Sequence, residues 1–218
     1  AQPGMTVLDL CAGAGGKIEI SVPQRGDRRR MMEQAQRNAV EALERRQAES
    51  GTKAKLNREL AEFLELSEAP QRIEIYDNSH ISGSQALGAM VVAGPEGFIK
   101  GQYRKWNIKT AQSDDDYGMM REVMSRRFAR ALDDDPVRAT QGQEDGMWPD
   151  LVLIDGGKGQ MSSVKAALEE LGVEDVPLIA IAKGPHHGRD GREVFHFPDG
   201  REKMLPENSP LLFHLQRL

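Results

Sequence analysis

Between Arg28 and Leu64 apolar side chains recur every three to four residues, Met32, Ala35, Ala39 and Leu43 forming one stripe and Leu56, Leu60, Phe63 and Leu64 a second. That is the period of a helix with one dry face, so two helices are predicted, separated at Ser50-Gly51 and preceded by a turn-like basic stretch from Pro23 to Arg30. Neither stripe supports a core of its own. Residues 18–70 therefore read as a helical arm or connector that leans on the more C-terminal part of the chain. From Gln71 the period changes to that of strands. IEIYD (73–77), ALGAMVVAG (86–94) and FIKGQYRKWNI (98–108) are joined by short turns, PEG (95–97) being the tightest, and predict an antiparallel meander. A helix comes next, from about Asp114 to Leu132, with Met120, Val123, Met124, Phe128 and Ala131 on one face. Then come LVLID, a helix from Gly159 to Leu171, the apolar run PLIAIAK, and REVFHF. Uninterrupted apolar runs alternating with helices predict parallel strands covered on both faces.

The predicted class is α/β, with elements in the order strand, strand, strand, helix, strand, helix, strand. That is the order of a ribonuclease H-like mixed sheet, antiparallel in its first half and parallel in its second, here occupying residues 71–218 behind the helical arm. Composition adds little to this but excludes several things. With 218 residues, 39% of them hydrophobic, the chain can bury one ordinary core. No apolar run approaches the roughly 20 residues of a membrane helix, and a soluble, cytoplasmic protein is expected. Cys11 stands alone and Cys/His zinc spacings are absent, so neither an internal disulfide nor structural zinc is expected. A net charge of −5 argues against coating nucleic acid by bulk charge. Local balance differs: residues 17–60 hold eleven Lys/Arg against seven Asp/Glu, and residues 98–109 hold four basic side chains and no acid. Lys100, Arg104 and Lys105 could follow a phosphate backbone, or could be the solvated face of an outer strand.

Two strand candidates end on a carboxylate, IEIYD on Asp77 and LVLID on Asp155. A desolvated carboxylate is expensive unless something pairs with it. In open α/β sheets ligands gather outside the carboxyl ends of strands, where Asp155 falls, with Gly156-Gly157 leaving room above it. Plain alternatives stand beside this: Asp77 could cap a turn through Asn78-Ser79, and Asp155 the helix near Lys158. A third acid comes from SDDDYGMM, where Ser113 and Asp116 have capping-box spacing and the charge suits a helix start. Capping accounts for one or two of these acids, and not for three in a row. If Asp77, Asp116 and Asp155 converge, they form the hard oxygen set that Mg²⁺ or Mn²⁺ prefers, suited to hydrolysing a phosphodiester.

The strings YDNSHISG (76–83), QYRKWNI (102–108), DDYGMMREVMSRRF (115–128), PDLVLIDGGKGQ (149–160), IAKG (181–184) and LPENSPLLFHLQRL (205–218) resemble the C-terminal nuclease half of the UvrC family. That family supplies the incision subunit of bacterial nucleotide excision repair. VPQRGDRRRMMEQAQRNAVEAL resembles the stretch leading into the same domain. The resemblance implies a ribonuclease H-like fold that binds Mg²⁺ or Mn²⁺ and nicks damaged double-stranded DNA on the 5′ side of a lesion. It also implies partnership with UvrB, with UvrA upstream. Asp77, Asp116 and Asp155 match the family's catalytic acids; His80, Lys158 and Gln160 lie in the same motifs as supporting residues, His80 as a donor behind the acids and Lys158 as a phosphate contact.

Two departures accompany the match. The family's catalytic histidine belongs to a segment beyond LQRL, and none of His186, His187, His196 or His214 occupies its motif position. The family's other nuclease domain and its helix-hairpin-helix clamp are likewise not among these residues, so this chain is expected to cut poorly by itself. At the front, PGMTVLDLCAGAGGK resembles the first motif of S-adenosylmethionine-dependent RNA cytosine methyltransferases. The helix that should come after such a turn is replaced by IEISVPQRGDRRR, so residues 1–17 are set aside as a fusion or assembly remnant, and no such cofactor is expected. A methyltransferase fragment and a non-catalytic DNA-binding scaffold remain as rival readings.

Overall fold

Hydrophobic runs without polar interruption must be covered on both faces, and the sheet at the centre of this protein is built that way. The computed structural model describes residues 7–8, 17–18, 24–81, 85–112, 114–183 and 193–217, with the backbone alone for 7–8, 17–18, 79–81 and 85. Cys11, its Gly-rich turn, Ser113 and the His186-His187 loop lie outside them. The chain divides into two units, Ala1–Gly51 and Thr52–Leu218.

In the first unit, β1 (Val7–Leu8) pairs antiparallel with β2 (Lys17–Ile18). Helix α1 (Gly26–Leu64) begins in this unit and ends in the second. The two predicted helices are thus one: Gly51 lies inside a 39-residue helix. Glycine in a helix interior costs about 1 kcal/mol relative to alanine, a weakening that good formers on either side outlast. The basic stretch expected as a turn up to Arg30 is helical from Gly26 for the same reason, Arg being a good helix former.

In the second unit an eight-stranded mixed sheet runs β10-β9-β8-β7-β3-β4-β5, with β6 also on β4. Its members are β3 (Ile73–Ile81), β4 (Gln85–Gly94), β5 (Gly97–Phe98), β6 (Arg104–Asn107), β7 (Leu151–Asp155), β8 (Leu178–Ala182), β9 (Val194–His196) and β10 (Glu202–Met204). β3, β7 and β8 are parallel; the hairpin of β3 with β4, and the flanking β5, β6, β9 and β10, are antiparallel. FIKGQYRKWNI, expected as one strand, is broken by a 3-10 turn at Lys100–Gln102 into β5 and β6 on the same edge of β4.

Helices α2 (Asp116–Asp134) and α3 (Lys158–Glu170) cover one face, burying Met120, Val123, Met124 and Phe128 against Tyr76, Met90 and Ile154. Leu60 and Leu64 of α1, with Leu211 and Leu215 of α4 (Pro210–Leu215), cover the other around Ile73, Leu151 and Ile179. Each such leucine contributes roughly 1.5–3 kcal/mol by leaving water. Gly88 lets α2 come close, since a Cβ there would collide with Val123 Cγ2. No helix of the described residues is long and apolar enough to cross a membrane.

Candidate active site

Alternation along the strands decides which side chains can meet. Tyr76 of β3 faces Ile154 of β7 in parallel register, both buried under α2 and α3. Asp77 and Asp155 are the next residue on each strand, so both point to the opposite face, beyond Ile75 and Leu153. The two acids thus stand side by side where the β3–β7 ladder ends, Asp155 closing β7 and Asp77 midway along β3, which runs on to Ile81. Their charges are felt: the Asp77 carboxyl is pushed above its ordinary range, first by partial burial and then by the charge of Asp155. Two smaller influences oppose this, a hydrogen bond from the Asn78 backbone and the charge of Lys183.

Sequence reasoning misses Lys183. Ile179 and Ile181 of β8 lie on the acid face, and Lys183 comes two residues on, just past the strand. The signal is there: PLIAIAK ends on a charge as LVLID does. On the other side, register carries the row from Asp77 to Ala89 of β4 and on to Lys105 of β6. Lys105, Asp77 and Asp155 therefore share one face, with Lys105 two strands from Asp77.

Asp116 is the first residue of α2, exposed to solvent, and the helix lies on the other face. Asn78, next to Asp77, donates from Nδ2 to the Asp116 carbonyl oxygen at 3.2 Å. That bond brings the Asp116 backbone to the strand of the acid pair. Among the described residues no group of three or more His, Cys, Asp or Glu side chains stands close enough to hold a metal. The structure sets Asp77 beside Asp155 and ties the Asp116 main chain to Asn78 on the other face, without gathering the three carboxylates into one cluster.

The capping alternatives resolve clearly. Asp77 is mid-strand and caps no turn. Gly157, not Asp155, is the N-cap of α3. The N-cap of α2 is Asp115, whose Oδ1 accepts from the Gly118 N–H at 2.9 Å, so the capping acid is the residue before Asp116.

Of the supporting residues, the His80 side chain is outside what the structure describes. Lys158 opens α3 and is engaged by Glu202 of β10, with Nζ 2.6 Å from Oε1; Glu202 also lies 3.4 Å from His196 Nδ1. Gln160 fills the room that Gly156 leaves, its Oε1 occupying the place where a Cβ would stand on that glycine. The Oε1 atom of Gln160 and the Oδ1 atom of Asn78 are buried without a hydrogen-bond partner. Arg104 and Lys105 part company: Arg104 is in register with buried Met90 and so faces α2, while Lys105 faces the acids. Lys100 is exposed in the 3-10 turn. Of the histidines, His196 is buried in β9, and His214 sits in α4, its imidazole pKa lowered by burial and by Arg217 and Lys53.

The donor chemistry fits a hard divalent cation. Two adjacent carboxylates whose mutual repulsion Lys183 only partly offsets are a donor pair that Mg²⁺ or Mn²⁺ suits. A cavity of about 610 Å³ lies elsewhere, at the amino ends of the parallel strands beside Gln71, Asp150 and Leu178.

Comparison with known proteins respects the same division. Residues 61–218 match the UvrC RNAse H endonuclease domain, and residues 8–46 match the UvrC Ribonuclease H-like domain. UvrABC system protein C of Novosphingobium aromaticivorans is 80% identical over 207 residues, 95% of this chain and 31% of that protein. That of Cereibacter sphaeroides is 53% identical over 219 residues, 100% of this chain and 34% of that protein. The chain thus spans about a third of the length of these relatives. Among solved structures, human ENDOV superimposes with a TM-score of 0.40 at 11% identity, covering 64% of this chain and 66% of that one. Ciona intestinalis Endonuclease V in complex with a 24mer DNA gives 0.37 at 13%, covering 56% and 50%.

Proposed function

Because the chain belongs to the UvrC RNAse H endonuclease domain family, we propose that it is the metal-dependent nuclease unit of a DNA excision-repair protein, hydrolysing a phosphodiester on the 5′ side of a lesion. The observation that carries this reading is the adjacency of Asp77 and Asp155 across two parallel strands, with the Asp77 carboxyl raised by burial and then by its neighbour.

On this reading Asp77 and Asp155 hold Mg²⁺ or Mn²⁺, and Asp116, fastened to Asn78, completes the set. The bound ion supplies positive charge that polarises the scissile phosphate and makes a water a better nucleophile at neutral pH. Lys183 and Lys105 flank the acids on the same face and balance the charge of the phosphate backbone as a strand crosses. A cation held there would offset the burial and the Asp155 charge that push the Asp77 carboxyl up. Lys158, paired with Glu202 at the exposed start of α3, exchanges that partner for a phosphate oxygen of the strand. The substrate is damaged double-stranded DNA, the setting is the cytoplasm, and UvrB, with UvrA upstream, delivers the lesion.

The test is incision of an end-labelled duplex carrying one defined lesion by the full-length protein and its partners. A product ending on the 5′ side that appears with Mg²⁺ or Mn²⁺ and vanishes with chelator is expected. Incision unaffected by chelation, or unaffected by Asp155→Asn, would overturn the assignment.

A further inference from the structure

On the face of the sheet away from the acid pair lies a cavity of about 420 Å³ whose lining is dominated by guanidinium groups. Arg72, Arg104, Arg126, Arg127 and Arg130 all contribute to it, with Trp106 among its aromatic and apolar walls. Two carboxylates, Asp134 and Asp145, share the lining. Three elements supply the arginines: Arg72 precedes β3, Arg104 belongs to β6, and the rest rise from α2, where positions 126, 127 and 130 fall on neighbouring turns.

Some of this charge is answered within the protein. Arg72 and Arg127 bind Glu74, Arg126 lies 3.2 Å from Glu122, and Arg130 lies 3.0 Å from Asp134. Arg104 makes no carboxylate contact among the described pairs, its Nη1 donating only to the Gly101 and Tyr103 carbonyl oxygens. Arg127 is 6% exposed, yet its Nη1 has no hydrogen-bond partner. An unpaired donor on a buried guanidinium is unfavourable, and three carboxylates answer only four of the five guanidiniums gathered here. A core built for stability alone would have closed this gap with a carbonyl or an acid, as it did for the rest of Arg127.

We infer that this cavity is a second anion site, taking a phosphate group on guanidinium forks, with Trp106 as an apolar wall. Arginine suits the task because its planar donors match phosphate oxygens two at a time. The volume admits a phosphate with its attached sugar, so the group is either free phosphate or the phosphodiester of a nucleic-acid strand. The site is independent of the acid pair and goes beyond the proposed incision chemistry: alternation puts Arg104 on the opposite side of β6 from Lys105, which shares the face of Asp77.

The experiment is calorimetric titration of the chain with sodium phosphate and, separately, with a six-residue thymidine oligonucleotide at fixed ionic strength, with tryptophan emission monitored in parallel. The wild type binds at least one probe saturably, with a change in emission. Arg104→Ala/Arg130→Ala weakens that binding at least tenfold while circular dichroism stays native, since both side chains lie outside the Glu74 network. Asp77→Asn leaves it intact. Phosphate binding alone assigns a small anion, and oligonucleotide binding assigns a strand. Absence of saturable binding by either probe, equal binding by the double variant, or loss in Asp77→Asn would overturn the site.

Discussion

Glu74 and Asp77 stand three residues apart on one strand and face opposite ways, and their surroundings could hardly differ more. Glu74 is fully buried and fully answered: Arg72 Nε donates to it at 2.9 Å, Arg127 Nη2 at 2.6 Å, and the Tyr76 hydroxyl at 2.5 Å. The Tyr76 hydroxyl is held protonated by burial and then by the negative charge of Glu74. Asp77, at the solvent edge, has a second carboxylate beside it and a lysine as its distant counterweight. A protein that brings two guanidiniums to one buried acid and sets two acids side by side three residues later is using charge for two ends. The first organises the fold. The second leaves like charges close together, and such pairs are where function concentrates.

The comparison breaks first at the acids. Asp77→Ala in the full-length protein should cut lesion-dependent incision by roughly 10⁴-fold, as removal of a catalytic group does elsewhere, while the thermal midpoint stays level or rises because a repulsion has gone. A falling midpoint with retained incision would place Asp77 with Glu74 as a structural acid. Next comes Glu74→Ala, which strands two buried guanidiniums and should cost about 3–5 kcal/mol in denaturant unfolding; a loss under about 1 kcal/mol would mean the network contributes little.

A third carboxylate sharpens the contrast from between these extremes. Glu122 accepts from the Lys109, Thr110 and Ala111 N–H groups and from the Thr110 hydroxyl. Burial alone would raise its pKa, but these bonds hold it down to about 2. A folded pKa below the unfolded value of 4.5 means that its stabilisation is complete above about pH 4.5 and is lost as pH falls toward about 2. Glu122→Gln should therefore cost about 1–3 kcal/mol at pH 7 and much less near pH 2, read from urea midpoints across that range. The smallest effect belongs to Lys105→Ala, which should lower the salt slope of DNA binding by about 1 without changing the fold. An unchanged slope would remove Lys105 from the DNA path.

Much of this was legible in the sequence, and the limits run along physical lines. LVLID and PLIAIAK declared themselves as buried parallel strands because only a strand covered on both faces tolerates such runs, and the stripe of α2 at Met120, Val123, Met124 and Phe128 is buried as its period required. The break in FIKGQYRKWNI escaped because a 3-10 turn at Lys100 disturbs no hydrophobic period. Gly51 is no boundary because a lone glycine lowers helix stability without ending the helix. The Asp77 and Asp155 pairing depends on register between strands 78 residues apart, which strand-end position hinted at and only the sheet displays. The Glu74 network was hidden more deeply, since its second arginine comes from α2, 53 residues away, and an acid inside an alternating strand reads as a solvent-facing one.

The central claim is that Asp77 and Asp155 form one cation site, and Mn²⁺ binding by this chain tests it most directly. Calorimetry or electron paramagnetic resonance on wild type, Asp77→Asn and Asp155→Asn should show a Mn²⁺ site that both substitutions abolish and that Asp116→Asn weakens. Equal Mn²⁺ affinity in wild type and Asp155→Asn would contradict it.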